Sequence, residues 1–362
     1  MVRVAQISFH HDLEERRPTE LLADWYTLSQ LAQAAREGGA EVRVFQASRH
    51  LERHVHEGIS FSFGPFDGAG LRAAVADADV LHVQGLGFAR DVLRLAAVAQ
   101  GRPILLQDRA NRPPAPWRRS LWRAALGETR GLLFCSREQS LPFQQRGLIG
   151  PGTRIYELPG VSSDFEPRDI AQARALTGIH GQPALLWVAH LDANKDPLTV
   201  LDALALASPQ LPDAQLWCCF AQAPLLDAVK ARIASDPRLT GRVHLLGRQP
   251  HERIGWLMSA ADLLVQGSHR EANGCSLVEA LSCGLPPLVP DIPSFRALLS
   301  ETEWPALWPV GDASALAGAL LATTRLAQPD LRKAARARFD DALSTAAMGR
   351  RLVGIYRDVL SS

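Results

Sequence analysis

Short runs rich in apolar and β-branched residues alternate along the chain with longer stretches whose apolar positions recur every three or four residues. The first pattern suits a strand buried on both faces and the second an amphipathic helix. Their alternation predicts parallel sheets covered by helices on both sides. Residues 2–9, 41–46, 80–84, 104–107 and 132–135 read as one series of strands. The clearest helix among them, over 21–37, ends at Gly38-Gly39, where a glycine accommodates the left-handed turn that closes a helix. A second series begins at 184–189 and continues through 216–220, 243–246, 263–266 and 287–289. Between the two series, residues 158–182 are rich in turn formers and hold no strand-like apolar run, so the domain junction is expected there. This predicts an N-terminal domain over 1–167 and a C-terminal domain over 168–362. Residues 312–360, Ala- and Arg-rich with helical spacing, are expected to be two or three helices closing the structure.

Composition supports this division. A chain of 362 residues exceeds one ordinary domain, and 47% apolar with 21% charged residues is ample for two cores. The 39 basic residues are matched by 38 acidic ones, which argues against a nucleic-acid binder. Five cysteines form no metal-like or Cys-x-x-Cys spacing, and a reducing cytoplasm is the simpler reading. The N-terminus enters a strand pattern without a basic and then apolar leader, and no apolar run reaches the ~20 residues of a membrane span. A cytoplasmic protein is expected, with peripheral attachment at the inner face of the membrane, through surface Arg and Trp, left open.

In open parallel sheets ligands gather beyond the carboxyl ends of the strands, so residues just after the strands deserve the closest reading. Lys195 lies in the polar loop after the strand at 184–189, ahead of Asp196-Pro197, a helix cap and first helical residue. It is one of only three lysines against 36 arginines. It is either a phosphate-binding ammonium or a solvated loop lysine. The run Gly267-Ser-His-Arg-Glu-Ala-Asn-Gly-Cys-Ser-Leu-Val-Glu279 holds two glutamates, Glu271 and Glu279, around Asn273 and Gly274 and a helix start near Ser276. Unpaired amides there suit a diphosphate, and Gly274 would admit it close to the backbone. Alternatively, Ser276 to Glu279 is a capping box in which the glutamate bonds to its own helix. Arg248, after Gly247, could lie along a planar base or belong to an ordinary turn.

These segments, taken in order, resemble the retaining glycosyltransferases of glycosyltransferase family 4. The signature is similar over 243–247, 260–268, the Glu271 to Glu279 pair, 280–289 and 308–312, with Leu158-Pro-Gly-Val161 and Phe165-Glu-Pro167 similar to the family's interdomain segment. The resemblance implies a GT-B fold: two Rossmann-like, doubly wound α/β domains facing each other across a cleft, with the acceptor on the first and a nucleotide-diphosphate sugar on the second. It implies that Glu279 binds ribose hydroxyls, that Glu271 faces the donor sugar, and that Asn273, Gly274, Cys275, Ser276 and Leu277 line the diphosphate and sugar with backbone amides. Lys195 would neutralise the leaving diphosphate.

At position 190 the family's usual arginine is replaced by His190, largely neutral at pH 7. On the acceptor side, His82, Asp108 and Arg109 occupy strand-end places where family members carry sugar-contacting groups; Arg109 stands where a histidine is common. A buried His82 and a turn at Asp108 are the other readings. The implied reaction moves a sugar to an acceptor hydroxyl, on a carbohydrate or glycolipid, with retention of configuration and with neither cofactor nor metal. Cell-envelope polysaccharide or glycolipid synthesis is the expected setting. The alternative is a degenerate subunit or scaffold that binds nucleotide sugar without turnover.

Overall fold

A computed structural model of the chain describes residues 1–24, 26–109, 111–302 and 304–361. It consists of two compact units, Met1–Ser162 with Thr345–Ser362 and Ser163–Ser344.

The first unit is an eight-stranded sheet, among the described residues, of β1 (Arg3–Ser8), β2 (Glu41–Ala47), β3 (Glu52–His56), β4 (Ile59–Gly64), β5 (Val80–Gln84), β6 (Ile104–Gln107), β7 (Gly131–Phe134) and β8 (Arg154–Glu157). Its order is β3-β4-β2-β1-β5-β6-β7-β8. All pairs are parallel except the β3–β4 hairpin. Side chains alternate between two cores, as a strand covered on both faces requires. Val4, Val80, Leu105 and Leu133 enter one core; Ala5, Ile7, Leu81, Val83 and Leu106 enter the other.

The second unit's sheet, again among the described residues, has β9 (Ala184–Val188), β10 (Gln215–Cys219), β11 (Val243–Gly247), β12 (Leu263–Val265), β13 (Pro287–Pro290) and β14 (Leu307–Trp308). All six are parallel, in the order β11-β10-β9-β12-β13-β14. The chain thus winds outward one way from β9 and then the other way from β12. The carboxyl ends of these two neighbours, where the winding reverses, are the usual ligand position of a doubly wound sheet. In the first unit the same reversal falls between β1 and β5.

The ten expected strands are present with ends shifted by a residue or so. The four further strands, β3, β4, β8 and β14, lie at or beside sheet edges. β3 is mostly exposed and charged, and β14 has two residues, so neither carries an apolar run to reveal it. The helix expected over 21–37 is two helices, Pro18–Asp24 and Tyr26–Glu37, separated by residue 25, which lies outside the described residues.

The C-terminal stretch forms three helices, as expected, but they are divided between the two units. Helices Ala313–Thr323 and Gln328–Ala342 belong to the second unit, but Thr345–Leu360 belongs to the first. Met348, Leu352, Ile355, Tyr356 and Val359 form one buried stripe at helical spacing, packed in a shared core with Leu28, Leu31 and Ala35. The junction falls at Ser162–Ser163, five residues before the expected one. Among the described residues no helix is long and apolar enough to cross a membrane.

Candidate functional site

In the second unit the chain turns out of β9 at Ala189-His190, and the turn is pinned from inside: the buried Trp187 Nε1–H donates to the Ala189 carbonyl at 3.0 Å. The loop to Asp196 is fixed by Asp192, whose Oδ1 accepts the Lys195 amide at 2.9 Å. Asp196 then adopts a left-handed conformation, φ +50°, and caps the helix Pro197–Ala207, its Oδ1 accepting the Thr199 amide at 3.3 Å while its Oδ2 accepts from Thr199 Oγ1 at 2.7 Å. The expected cap is present.

The loop after β12 interlocks with this one. The His269 amide donates to the Asn194 carbonyl at 2.7 Å, and Asn194 Nδ2 donates to the Arg270 carbonyl at 3.0 Å. A Cβ on Gly267 would lie 2.6 Å from the Asp196 carbonyl oxygen, so only glycine permits the approach. The result is an ion pair between Lys195 Nζ and Glu271 Oε1, with the side chains 20% and 15% exposed. Ser268 Oγ donates to the same Glu271 oxygen at 2.7 Å. Two residues 76 apart in sequence thus share one partly desolvated spot at the sheet's reversal point.

The helix Cys275–Ser282 begins there too. Its N-cap is Gly274, in the left-handed region at φ +57°. A Cβ at Gly274 would meet Phe295 at 2.8 Å, so part of the reason for glycine lies inside the fold, not only on a ligand's side. Ser276 lies within the helix, and its Oγ donates to the Val188 carbonyl at 2.7 Å, tying the helix start to the end of β9. The capping-box reading of Ser276 and Glu279 is therefore set aside, because the helix starts before the position a box needs. Leu277 is also corrected: its amide already donates to the Gly274 carbonyl at 2.9 Å and its side chain is fully buried. Asn273 is half-buried and Cys275 exposed at the helix start.

Glu279 is 7% exposed, and its Oε1 lies 3.4 Å from His251 Nε2. Sequence reasoning missed His251; its place three residues after Arg248, at the start of a helix, was the available signal. The carboxylate raises the pKa of His251 above the ordinary imidazole value against the effect of burial, and Asp164 adds to the rise. His190 Nδ1 accepts the Gln222 amide at 3.2 Å. A backbone amide can only donate, so Nδ1 is the acceptor in this bond. Arg248 is exposed just past β11, two strands from β9.

The first unit treats its expected residues differently. His82 is fully buried within β5, and its Nδ1 lies 2.8 Å from the hydroxyl of the equally buried Tyr356. Burial, with the charge of Arg109 second, pushes its pKa down to about 3. His82 is thus a core residue beneath the C-terminal helix and not an acceptor contact. Asp108 accepts the Asn111 amide at 2.9 Å, forming the strand-end turn.

Arg109, by contrast, lines a cavity of about 330 Å³ with Ser8, His10, Gln84, Phe88 and Asn111, at the ends of β1, β5 and β6. Its guanidinium donates to Gln84 Oε1 at 2.9 Å and to the Gly160 carbonyl at 3.0 Å. The other polar residues of this cavity were missed, since each sits singly in sequence. Among the described residues no three His, Cys, Asp or Glu side chains are grouped as metal ligands would be.

Comparison with known proteins agrees with the geometry. The family described as glycosyl transferases group 1 matches residues 169–338, most of the second unit. A GDP-mannose:cellobiosyl-diphosphopolyprenol alpha-mannosyltransferase of Xanthomonas campestris is 26% identical over 72% of this chain and 70% of its own length. Further relatives are matched over 60% of their length or less. A sucrose-phosphate synthase structure from Thermosynechococcus elongatus superposes over the whole of both chains with a TM-score of 0.69 at 19% identity. An Anabaena protein solved in complex with UDP and glucose gives 0.68 at 17% identity, over 99% of this chain and 100% of its own.

Two parallel-sheet units of this topology share the GT-B fold of these structural neighbours, and the family match with the mannosyltransferase relative makes the chain a glycosyltransferase of that class. Within that class residues 169–338 match the family described as glycosyl transferases group 1, and glycosyltransferase family 4 is consistent with that match.

Proposed function

We propose that this protein transfers a sugar from a nucleotide-diphosphate sugar, held by the second unit, to an acceptor hydroxyl, held by the first, with retention at the anomeric carbon. The observation that carries the reading is the meeting of Lys195 and Glu271 and the Gly274 helix start beyond the ends of β9 and β12, with Glu279 buried in the second turn of that helix. A helix N-terminus and an ammonium suit a diphosphate, and a buried carboxylate suits the vicinal hydroxyls of ribose.

On donor binding Lys195 exchanges Glu271 for the diphosphate, and Glu271 is released toward the sugar. The bond from the anomeric carbon to the bridging oxygen breaks with its electron pair going to the diphosphate. The acceptor oxygen bonds from the same face, and its proton passes to the departing phosphate oxygen. The protein's part is orientation and fixed positive charge.

The mannosyltransferase relative is named for GDP-mannose and a polyprenol-linked acceptor, which makes a lipid-linked acceptor, and a role in cell-envelope polysaccharide or glycolipid synthesis, the reading to test first. Attachment to the inner face of a membrane fits an exposed segment in the first unit. Trp117 is 83% exposed, Arg112, Arg118 and Arg123 are exposed, and no acidic residue occurs from Arg109 to Gly127. An interfacial tryptophan among arginines suits an anionic lipid surface.

Histidine at 190 in place of the family's arginine favours a second reading, a subunit that binds donor without turning it over. Release of nucleoside diphosphate from UDP-, GDP- and ADP-sugars, with GDP-mannose first, separates the two. Release that depends on acceptor, with retained configuration in the product by NMR, is expected. Tight binding without release would replace the transferase reading with the second, and no binding would defeat both.

A further inference from the structure

His251 belongs to no part of the reaction described so far, yet it touches the residue assigned to ribose. It opens the helix His251–Ala260 after the β11 turn, and its ring lies against Phe165, with centroids 4.5 Å apart and planes 34° apart. From there Nε2 meets Glu279 Oε1 at 3.4 Å. The imidazole is 54% exposed while the carboxylate is 9% exposed, so the pair has a wet cationic end and a dry anionic end. The residues flanking Glu279 in its helix, Leu277, Val278, Ala280 and Leu281, are all fully buried. A carboxylate in such surroundings is costly unless a positive partner meets it in good geometry.

We propose that His251 is a positioning residue of the nucleotide site, whose protonated ring turns the Glu279 carboxylate and compensates its charge while it accepts the hydroxyls of a nucleoside's ribose. This rests on the reading of Glu279 as the ribose ligand. Facing the ring are Glu279 from the neighbouring helix and Asp164, with Phe165, from the segment ahead of the helix Ile170–Thr177; Glu252 and Arg253 follow on its own helix. Both facing charges are negative and favour the imidazolium, in line with the raised pKa of His251.

Deprotonation leaves a neutral N–H bond in place of a charge-assisted one and removes a cation from the neighbourhood of an anionic ligand. Affinity for donor therefore falls as pH rises through the titration of His251.

The test is calorimetric affinity for an intact nucleotide sugar, whichever of GDP-mannose, UDP-glucose or ADP-glucose binds, whose phosphates do not titrate near neutrality. The wild-type protein should bind about three- to tenfold more weakly at about pH 8.5 than at about pH 6. His251→Asn, which keeps an N–H donor without the charge, should bind at the weak level at both pH values. His251→Ala should be weaker still, raising KM for the donor more than it lowers kcat.

A wild-type pH profile retained in His251→Asn overturns the proposal. So does a Glu279→Gln variant that loses binding while both His251 variants keep it. If Glu279→Gln binds as the wild type does, the ribose reading itself fails and this inference with it. Should His251→Ala not fold, His251→Asn alone decides.

Discussion

The carboxyl edges of the two sheets have the same winding around their reversal points and use their ionisable residues in opposite ways. In the second unit Lys195 and Glu271 lie beyond the strand ends, on loops after β9 and β12 held against each other by hydrogen bonds among Asn194, His269 and Arg270. The two face one another there. In the first unit His82 lies inside β5 and points into the core, where Tyr356 receives it. One or two residues of offset along a strand decide which fate a side chain meets, because a residue within the ladder must face one covered side or the other. The second edge therefore presents a paired ammonium and carboxylate beyond its strands, and the first offers a mainly neutral cavity with a single guanidinium, that of Arg109.

Removing the buried carboxylate breaks this contrast most directly. Glu279→Ala is expected to abolish measurable nucleotide binding, a loss of at least ~100-fold by calorimetry, while circular dichroism and melting show an intact fold. Unchanged affinity for the best nucleotide would show that the second edge is not the nucleotide's. Lys195→Ala comes next. Without the ammonium, the charge developing on the diphosphate in the transition state lacks its cation, and kcat should fall ~100-fold or more, with a smaller change in donor KM. An equal effect on binding and turnover would mean that Lys195 serves the ground state only.

Much of the second edge was legible in sequence because its residues lie close together in short runs, after strands whose apolar patterns are unmistakable. Lys195, Glu271 and Glu279 needed only the topology to bring them to one edge. His251 was not legible, since nothing in its own segment says that its ring will reach a glutamate in another helix. The C-terminal helix was misplaced for a related reason. The stripe of Met348, Leu352 and Tyr356 predicts that the helix is buried on one side, but amphipathicity does not name the partner. Leu28 and Leu31, three hundred residues earlier, supply it. The hairpin of β3 and β4 escaped because its outer strand is charged and exposed, as an unpaired sheet edge tends to be.

A third perturbation separates core from site by its pH dependence. The His82 pKa is about 3 when folded and near the ordinary 6.5 when unfolded, so below pH 6.5 the unfolded chain binds the extra proton. Stability should be unaffected by this group above about pH 6.5 and fall by up to ~1.4 kcal/mol for each pH unit below it, until about pH 3. Urea denaturation of His82→Asn against the wild type, compared near pH 5 and pH 7.5, should show a shallower loss on acidification in the variant. A pH dependence of acceptor affinity that vanished in His82→Asn, with no change in the stability slope, would return His82 to the site.

The smallest effect is expected at Arg109, and it bears on whether the two edges divide the substrates between them. The guanidinium spans Gln84 and the Gly160 carbonyl, two bonds that its planar fork makes at once. Arg109→Lys keeps the charge and can reach one of these partners, so the fold should survive with little loss, while the fork's fixed direction into the cavity is given up. Acceptor KM should rise about three- to tenfold, as for one weakened hydrogen bond, and donor affinity should stay the same. A change in donor affinity without one in acceptor KM would reverse the assignment. No change in either would leave the cavity at β1, β5 and β6 outside catalysis and move the search for the acceptor elsewhere on the first unit.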